Sequence, residues 1–309
     1  MKAVIYKKYG GPEVLECVET EKPVPGSKEV LVKVEASSVS AGVTWMRKGK
    51  YQGSLLFTAM LRLMYGVIKP RQQVLGVEFA GTVEQAGAKV KLFKPGDKVY
   101  GTTTGLKTGS YAQYIVIPEN RRQGVIAVKP PQLSMTEAAA LPVGGMTAIH
   151  LLTKAELGTG QKILIYGASG SVGTSAVQVA KYACAKVTAV CSTANVALLS
   201  EIGADHIIDY ARQDMMQLKD RFDIVFDAVG KLPASTARQL LKKGGRYCTV
   251  RSITEEKTAY LRSLHQMIEQ GEFHPVVDRV YPMDKIVEAH QYVDRGHKKG
   301  NVIITHWPV

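Results

Sequence analysis

Three glycines spaced three residues apart, Gly167, Gly170 and Gly173, carry the clearest chemistry in this 309-residue chain. They sit in Lys162-Ile-Leu-Ile-Tyr-Gly-Ala-Ser-Gly-Ser-Val-Gly173. The apolar residues 163–166 read as a buried strand, and Val172, Ala176, Val179, Ala180 and Ala183 line one face of a following helix. Strand, tight turn and helix bring main-chain N–H groups and a helix N-terminus against a pyrophosphate. The candidate cradle is therefore Gly167, Ala168, Ser169, Gly170, Ser171, Val172 and Gly173. A bulky side chain at Gly170 would hold a phosphate away, and one at Gly173 would push the helix off the strand. The spacing is Gly-x-Gly-x-x-Gly with Ala168 in its first place, and the strand-to-helix context is what the mechanism requires. A dinucleotide cofactor and redox chemistry follow.

The segments around this turn must position it. Strand-like runs recur at residues 186–190, 206–209, 223–227 and 245–250, separated by helical patterns. Alternation of this kind implies right-handed crossovers and a doubly wound parallel sheet of the Rossmann type. Residues 1–118 instead read as β-rich, with alternation at 30–34 and strand-like runs at 77–83, 99–100 and 111–117. Helical patterns follow at 136–152, 261–268 and 285–293, and strands at 276–281 and 301–305, the last returning to the first domain. The expected division is residues 1–120 plus 272–309 for the β-rich domain and 121–271 for the cofactor domain.

The second strand of the cofactor unit ends in Val190-Cys-Ser-Thr193. An acid there would bind the ribose 2′-hydroxyl of NAD and repel a 2′-phosphate. The nearest acid that follows is Glu201, whereas Ser192 and Thr193 can donate hydrogen bonds, so NADPH is expected over NADH. Helix capping is the alternative role of these two residues.

Bulk properties bound the rest. Forty Lys and Arg against 27 Asp and Glu give a net charge of +13, but the basic residues are dispersed and no stacking aromatics interleave with them. A solvated basic surface is expected rather than a dedicated nucleic-acid site. Residues 1–9 hold no run long enough for a signal peptide or membrane span. The four cysteines are scattered, which fits a reducing cytoplasm and argues against a structural zinc loop. Residues 55–68 form a broad apolar helical surface followed by Lys69, Pro70 and Arg71. A lid over the substrate, a core helix and a membrane-surface attachment are the three readings of this segment.

These landmarks together resemble the medium-chain dehydrogenase/reductase superfamily, in its zinc-independent, zeta-crystallin-like NADPH:quinone oxidoreductase branch. The resemblance runs through Gly11-Pro-Glu-Val-Leu15, Arg47-Lys-Gly-Lys-Tyr51, Leu75-Gly-Val-Glu-Phe-Ala-Gly-Thr-Val83, Lys94-Pro-Gly-Asp-Lys-Val-Tyr-Gly101, Ala140-Leu-Pro-Val-Gly-Gly-Met-Thr-Ala148, the glycine turn, Gly203-Ala-Asp205 and Asp227-Ala-Val-Gly230. It implies a GroES-like β domain beside the Rossmann unit, with the active site in the cleft between them. Zinc-containing relatives place a Cys where this chain has Ser40 and a His where it has Val77, and residues 138–142 offer no third ligand. Glu78 alone remains of that constellation, so no zinc is expected. Tyr51 matches the family's active-site tyrosine, and Ser40 stands where many relatives have Asn; both are candidate donors to a substrate oxygen. Thr147 resembles a position near the nicotinamide or its ribose. Tyr210 matches a 2′-phosphate contact, while Asn195 stands where relatives have Lys, so Lys298 or Lys299 is a candidate replacement.

The stretch after Ser252 is short, and the sixth strand of the cofactor sheet is expected to be missing, which leaves a monomer or a homodimer open. The implied reaction is hydride transfer from NADPH to a hydrophobic quinone or enone. The alternatives are an NADPH- or RNA-binding protein on a reductase scaffold, and an alcohol dehydrogenase with an unrecognised metal site.

Overall fold

Alternating apolar residues and glycine-marked turns build two units, seen here in a computed structural model that describes residues 1–51 and 54–307. One unit comprises Met1–Pro142 and Val277–Val309, the other Val143–Val276.

The first unit starts with β1 (Lys2–Ile5) antiparallel to β2 (Glu16–Glu19). It continues through β3 (Glu29–Ser38), α1 (Ala41–Lys48), α2 (Leu55–Tyr65), β4 (Glu78–Ala86), β5 (Lys98–Thr102), β6 (Tyr114–Pro118), β7 (Ile126–Val128) and α3 (Met135–Ala140). The second unit holds α4 (Pro142–Lys154), β8 (Lys162–Tyr166), α5 (Ser171–Tyr182), β9 (Lys186–Cys191), α6 (Val196–Glu201), β10 (His206–Asp209), β11 (Phe222–Asp227), α7 (Ala234–Leu240), β12 (Leu241–Thr249) and α8 (Thr258–Glu269). The chain then returns to the first unit with β13 (Val277–Pro282), α9 (Ile286–Asp294) and β14 (Asn301–Thr305).

In the first unit, β13-β14-β3-β4-β5-β7 form one sheet, with β6 also paired to β3. Strand β3 is the hub: its apolar alternation buries Val30, Val32 and Val34 against Phe79, Val83, Val99, Ile115 and Ile117. The final strand joins antiparallel to β3, Ser38 opposite Ile303, as expected of a returning strand. Helix α3 opens with a capping box of Ser134 and Glu137 and packs on β3, β4 and β14. That packing moves the domain boundary from the expected residue 120 to Pro142.

Helix α1 is fixed by a buried clamp. Arg47 is fully buried; its guanidinium donates to Asp294 Oδ2 at 2.5 Å and to His290 Nδ1 at 2.9 Å, both on α9. Burial, reinforced by the Arg47 charge, pulls His290 down to about 3, so the ring is neutral and accepts.

The second unit is a five-stranded parallel sheet ordered β10-β9-β8-β11-β12. Leu164, Val190, Ile208, Phe222 and Val225 form its core with Leu232, Ala237 and Leu240. Strand β12 is the edge among the described residues, consistent with the short stretch after Ser252.

Candidate functional site

The C-terminal ends of β8, β9, β10 and β11 gather the expected cofactor residues at one rim of the sheet, where doubly wound folds bind ligands. Gly167 turns the chain out of β8 with φ +75°, a left-handed conformation that a side chain strains. A Cβ there would also stand 2.5 Å from Val229, in the loop after β11. Ala168 is buried and its N–H donates to Val190 O at 3.1 Å, so this amide ties the turn to β9. Gly170 is the N-cap of α5 and provides no side-chain cap. A Cβ on Gly170 would meet only Gly167 O, at 3.7 Å, and would stand in open space. One on Gly173 would lie 2.3 Å from Gly167 O and 2.6 Å from Ala168 C. The two glycines thus serve different ends: Gly173 lets α5 press on the turn, and Gly170 keeps its mouth clear. Ser169 and Ser171 flank this mouth, and Val172 opens the first helical turn.

Helix α4 closes one side. A Cβ on Gly144 would come 2.6 Å from Ser171 Oγ, so this glycine allows α4 to approach the start of α5. Thr147 is half-buried and three residues further along α4, on the same helix face as Gly144.

Beyond β9 a hydrogen-bonded cluster forms. Asn195 is buried, and its Nδ2 donates to Ser169 Oγ at 3.0 Å and Ser192 Oγ at 3.1 Å, tying the glycine turn to the end of β9. Its Oδ1 is buried without a partner. Thr193 donates to Asp209 Oδ2 at 2.6 Å. The end of β9 is therefore not free of acid, contrary to the sequence expectation. Parallel pairing sets Cys191 opposite Asp209 and brings in a carboxylate eighteen residues downstream. The hydrogen bond from Thr193 holds Asp209 below the usual carboxylate range, with help from Ala211 N–H and Arg212. Arg212, exposed and 3.5 Å from Asp209, was not found from sequence; its separation from Ser192 hides it until β9 and β10 pair. Tyr210, also exposed, stands beside it.

The loop after β11 is organised by Asp227, which was seen in the sequence only as part of a motif. Its buried carboxylate accepts from the N–H groups of Val229, Gly230, Lys231 and Leu232 and from Tyr247 and Thr249 hydroxyls.

In the first unit, Ser40 caps α1, its Oγ accepting from Val43 N–H at 3.3 Å. That bond uses a lone pair and leaves the hydroxyl proton to donate elsewhere. Tyr51 lies past the other end of α1. Its ring folds back on Trp45 at 4.6 Å and packs on Phe57 at 5.3 Å, while its main chain is held by Thr58. The two candidate donors therefore flank one helix instead of adjoining. Glu78 accepts from Ser38 Oγ, and Lys298 lies near enough to feel its charge. Lys298 donates to Gly300 O, and burial pulls its ammonium down to about 8. Lys299 N–H donates to Asp278 at 2.9 Å. Lys298 is thus engaged within its own unit instead of standing exposed for a phosphate.

A zinc site does not fit these residues. The positions expected to ligate hold Ser40, a capping residue, and Val77. Among the described residues no three His, Cys, Asp or Glu side chains converge.

Comparison with known proteins agrees with this architecture. Residues 26–130 match the alcohol dehydrogenase GroES-like domain, and residues 171–271 and 251–304 match zinc-binding dehydrogenase models. The chain is 34% identical to a 2-methylene-furan-3-one reductase of Solanum lycopersicum, over 98% of this chain and 79% of that one. It is 32% identical, with the same coverage, to a chloroplastic NADPH-dependent alkenal/one oxidoreductase of Arabidopsis thaliana. A quinone oxidoreductase structure from Coxiella burnetii superposes with a TM-score of 0.83 at 26% identity, covering 99% of each chain. With the parallel sheet, the glycine turn and the GroES-like unit all in place, the chain belongs to the medium-chain dehydrogenase/reductase superfamily, in its quinone oxidoreductase branch.

Proposed function

We propose that the protein reduces a quinone or an α,β-unsaturated carbonyl compound with NADPH, without zinc. The observation that carries this reading is the uncapped start of α5 at Gly170, open above the glycine, with Ser169 tied through Asn195 to Ser192 beside it. An anionic pyrophosphate suits such a helix terminus. The unpartnered Asn195 Oδ1 could accept from a sugar hydroxyl, and Ser192, Tyr210 and Arg212 suit a 2′-phosphate. Asp209 would oppose that phosphate, but its charge is met by Thr193 and Arg212. The two plant relatives, named as a 2-methylene-furan-3-one reductase and an NADPH-dependent alkenal/one oxidoreductase, support the same chemistry.

Bound NADPH would supply hydride. The chain's own contribution is to position the acceptor and to stabilise the negative charge that develops on its oxygen. Tyr51 is assigned that donor role, its ring orientation set by Trp45 and Phe57, with Ser40 as a second donor from the far end of α1. Thr147 is assigned to the nicotinamide end, on the helix that borders Ser171. No residue is given a metal-binding role. The cysteines, all free, suit a reducing compartment such as the cytoplasm.

The test is a panel of quinones, enals and enones assayed with NADPH and NADH side by side, with metal content measured on the same sample. Acceptor-dependent NADPH oxidation by metal-free protein is expected. Failure of every acceptor to exceed background would remove the catalytic reading and leave a nucleotide-binding protein.

A further inference from the structure

Helix α2 is inside out. Its polar members face the protein: Thr58 bonds the main chain of Tyr51 and Ser54, and Arg62 donates to Gly49 O at 2.7 Å and Val67 O at 3.0 Å. The Arg62 guanidinium also lies 4.0 Å above the Tyr9 ring, and the Tyr9 hydroxyl donates to Gly66 O at 2.7 Å. The outward stripe is Leu56, Met60, Leu63 and Val67, with Leu55, Met64 and Ile68 beside it. Leu55 is 86% exposed and Ile68 90%. Eight of the fifteen large hydrophobic side chains exposed among the described residues fall in these fourteen positions. A helix facing water places its residues the other way round. This result sets aside the core-helix reading of residues 55–68.

The charge around the stripe has one sign. From Ala36 to Val77 the chain has six Lys or Arg and no Asp or Glu. Arg47 is buried in its clamp, but Lys50, Lys69 and Arg71 are exposed beside the apolar surface. Trp45 and Tyr65 stand half-buried at its base, where amphipathic rings suit a lipid headgroup layer. Two copies stacked through this face would set like charges against each other. An acidic bilayer meets both features at once, taking the apolar stripe into its outer hydrocarbon and the cations among its headgroups. Among the described residues no helix is long and apolar enough to cross a membrane, so contact would be confined to the surface.

We propose that α2 and the turn to Arg71 dock this protein on an anionic lipid bilayer. The docking surface belongs to the first unit, and the proposal does not depend on the reductase reading. The test is co-sedimentation of the full chain with phosphatidylglycerol-containing vesicles and with phosphatidylcholine vesicles alone. Three exposed cations predict roughly a hundredfold preference for the anionic vesicles, weakened at high salt. Leu56→Glu with Ile68→Glu should release the protein from both vesicle types while its melting temperature is kept, because both positions are exposed. Lys69→Gln with Arg71→Gln should remove most of the preference for anionic lipid. The proposal is overturned if the wild type does not sediment with vesicles, or if the double glutamate variant sediments equally well. It is also overturned if sedimentation velocity shows a dimer that the glutamates dissolve and vesicles do not compete, which would assign the stripe to a second copy.

Discussion

Alanine at Gly170 and alanine at Gly173 should do opposite things. At Gly173 the new Cβ would lie 2.3, 2.6 and 2.7 Å from Gly167 O, Ala168 C and Ala168 Cα, all main-chain atoms. No side chain can swing away, so α5 must shift by about 1 Å, an overpacking cost of about 1–3 kcal/mol. Alanine returns up to ~1 kcal/mol of helix propensity. The net loss of about 1–2 kcal/mol corresponds to a fall of roughly 2–8 °C in melting temperature. At Gly170, φ −79° and ψ 177° suit any residue, and the methyl meets only Gly167 O at 3.7 Å. Stability should change by no more than about 0.5 kcal/mol. The methyl instead occupies the mouth assigned to the pyrophosphate, and NADPH affinity should fall at least about tenfold, or ~1.4 kcal/mol. Differential scanning calorimetry and titration of NADPH fluorescence read the two effects on the same samples. A Gly170→Ala protein that binds NADPH as tightly as the wild type would refute the assignment of the turn to phosphate.

Four further outcomes follow. Arg212→Ala should weaken NADPH severalfold and leave NADH unchanged in competition titrations, because the side chain is exposed and only the 2′-phosphate distinguishes the two nucleotides. Tyr51→Phe should lower kcat by up to about 10²–10³-fold without changing NADPH affinity, measured by steady-state kinetics alongside the titration. Arg47→Met should cost about 1–3 kcal/mol by denaturant unfolding, since it removes the buried guanidinium from Asp294 and His290 and leaves Lys48, 2.8 Å away, as the cation on Asp294. His290 and His306 are both pulled down to about 3 by burial. The unfolded chain therefore binds their protons first, and stability should fall as pH drops from about 6.5 toward 3, by up to ~1.4 kcal/mol per unit for each ring. Melting scans across that range test this, and His306→Gln should reduce the slope by about half.

The sequence was most legible where local rules dominate. Strand β10 falls on residues 206–209 and β14 on 301–305 as expected, because short β-branched runs bounded by turns have few other places to go. The roles of Gly170 and Gly173 could be read because each follows from the space a Cβ needs. Strands β1, β2 and β7 and helix α1 were not anticipated; they are short, and their registers depend on distant partners such as Glu19 opposite Lys2. The same limit hid Asp209, which reaches Thr193 only across a strand pairing, and with it Arg212, which pairs with Asp209. Periodicity revealed the apolar surface of α2 but not its direction, because polar Thr58 and Arg62 find their partners in Tyr51, Gly49 and Tyr9 rather than in solvent.

The pairing of Ser38 with Ile303 has a temporal side. During synthesis the partner of β3 emerges about 265 residues later, roughly 13–50 s at 5–20 residues per second. The whole Val143–Val276 unit is synthesised within that interval. One edge of the hub strand meanwhile lacks its β14 neighbour and would need shielding until the terminal strand arrives. Chaperone dependence in a cell should therefore track the slow closure of the β-rich unit, and a circular permutant that starts at β13 and joins β14 to β1 would shorten the wait.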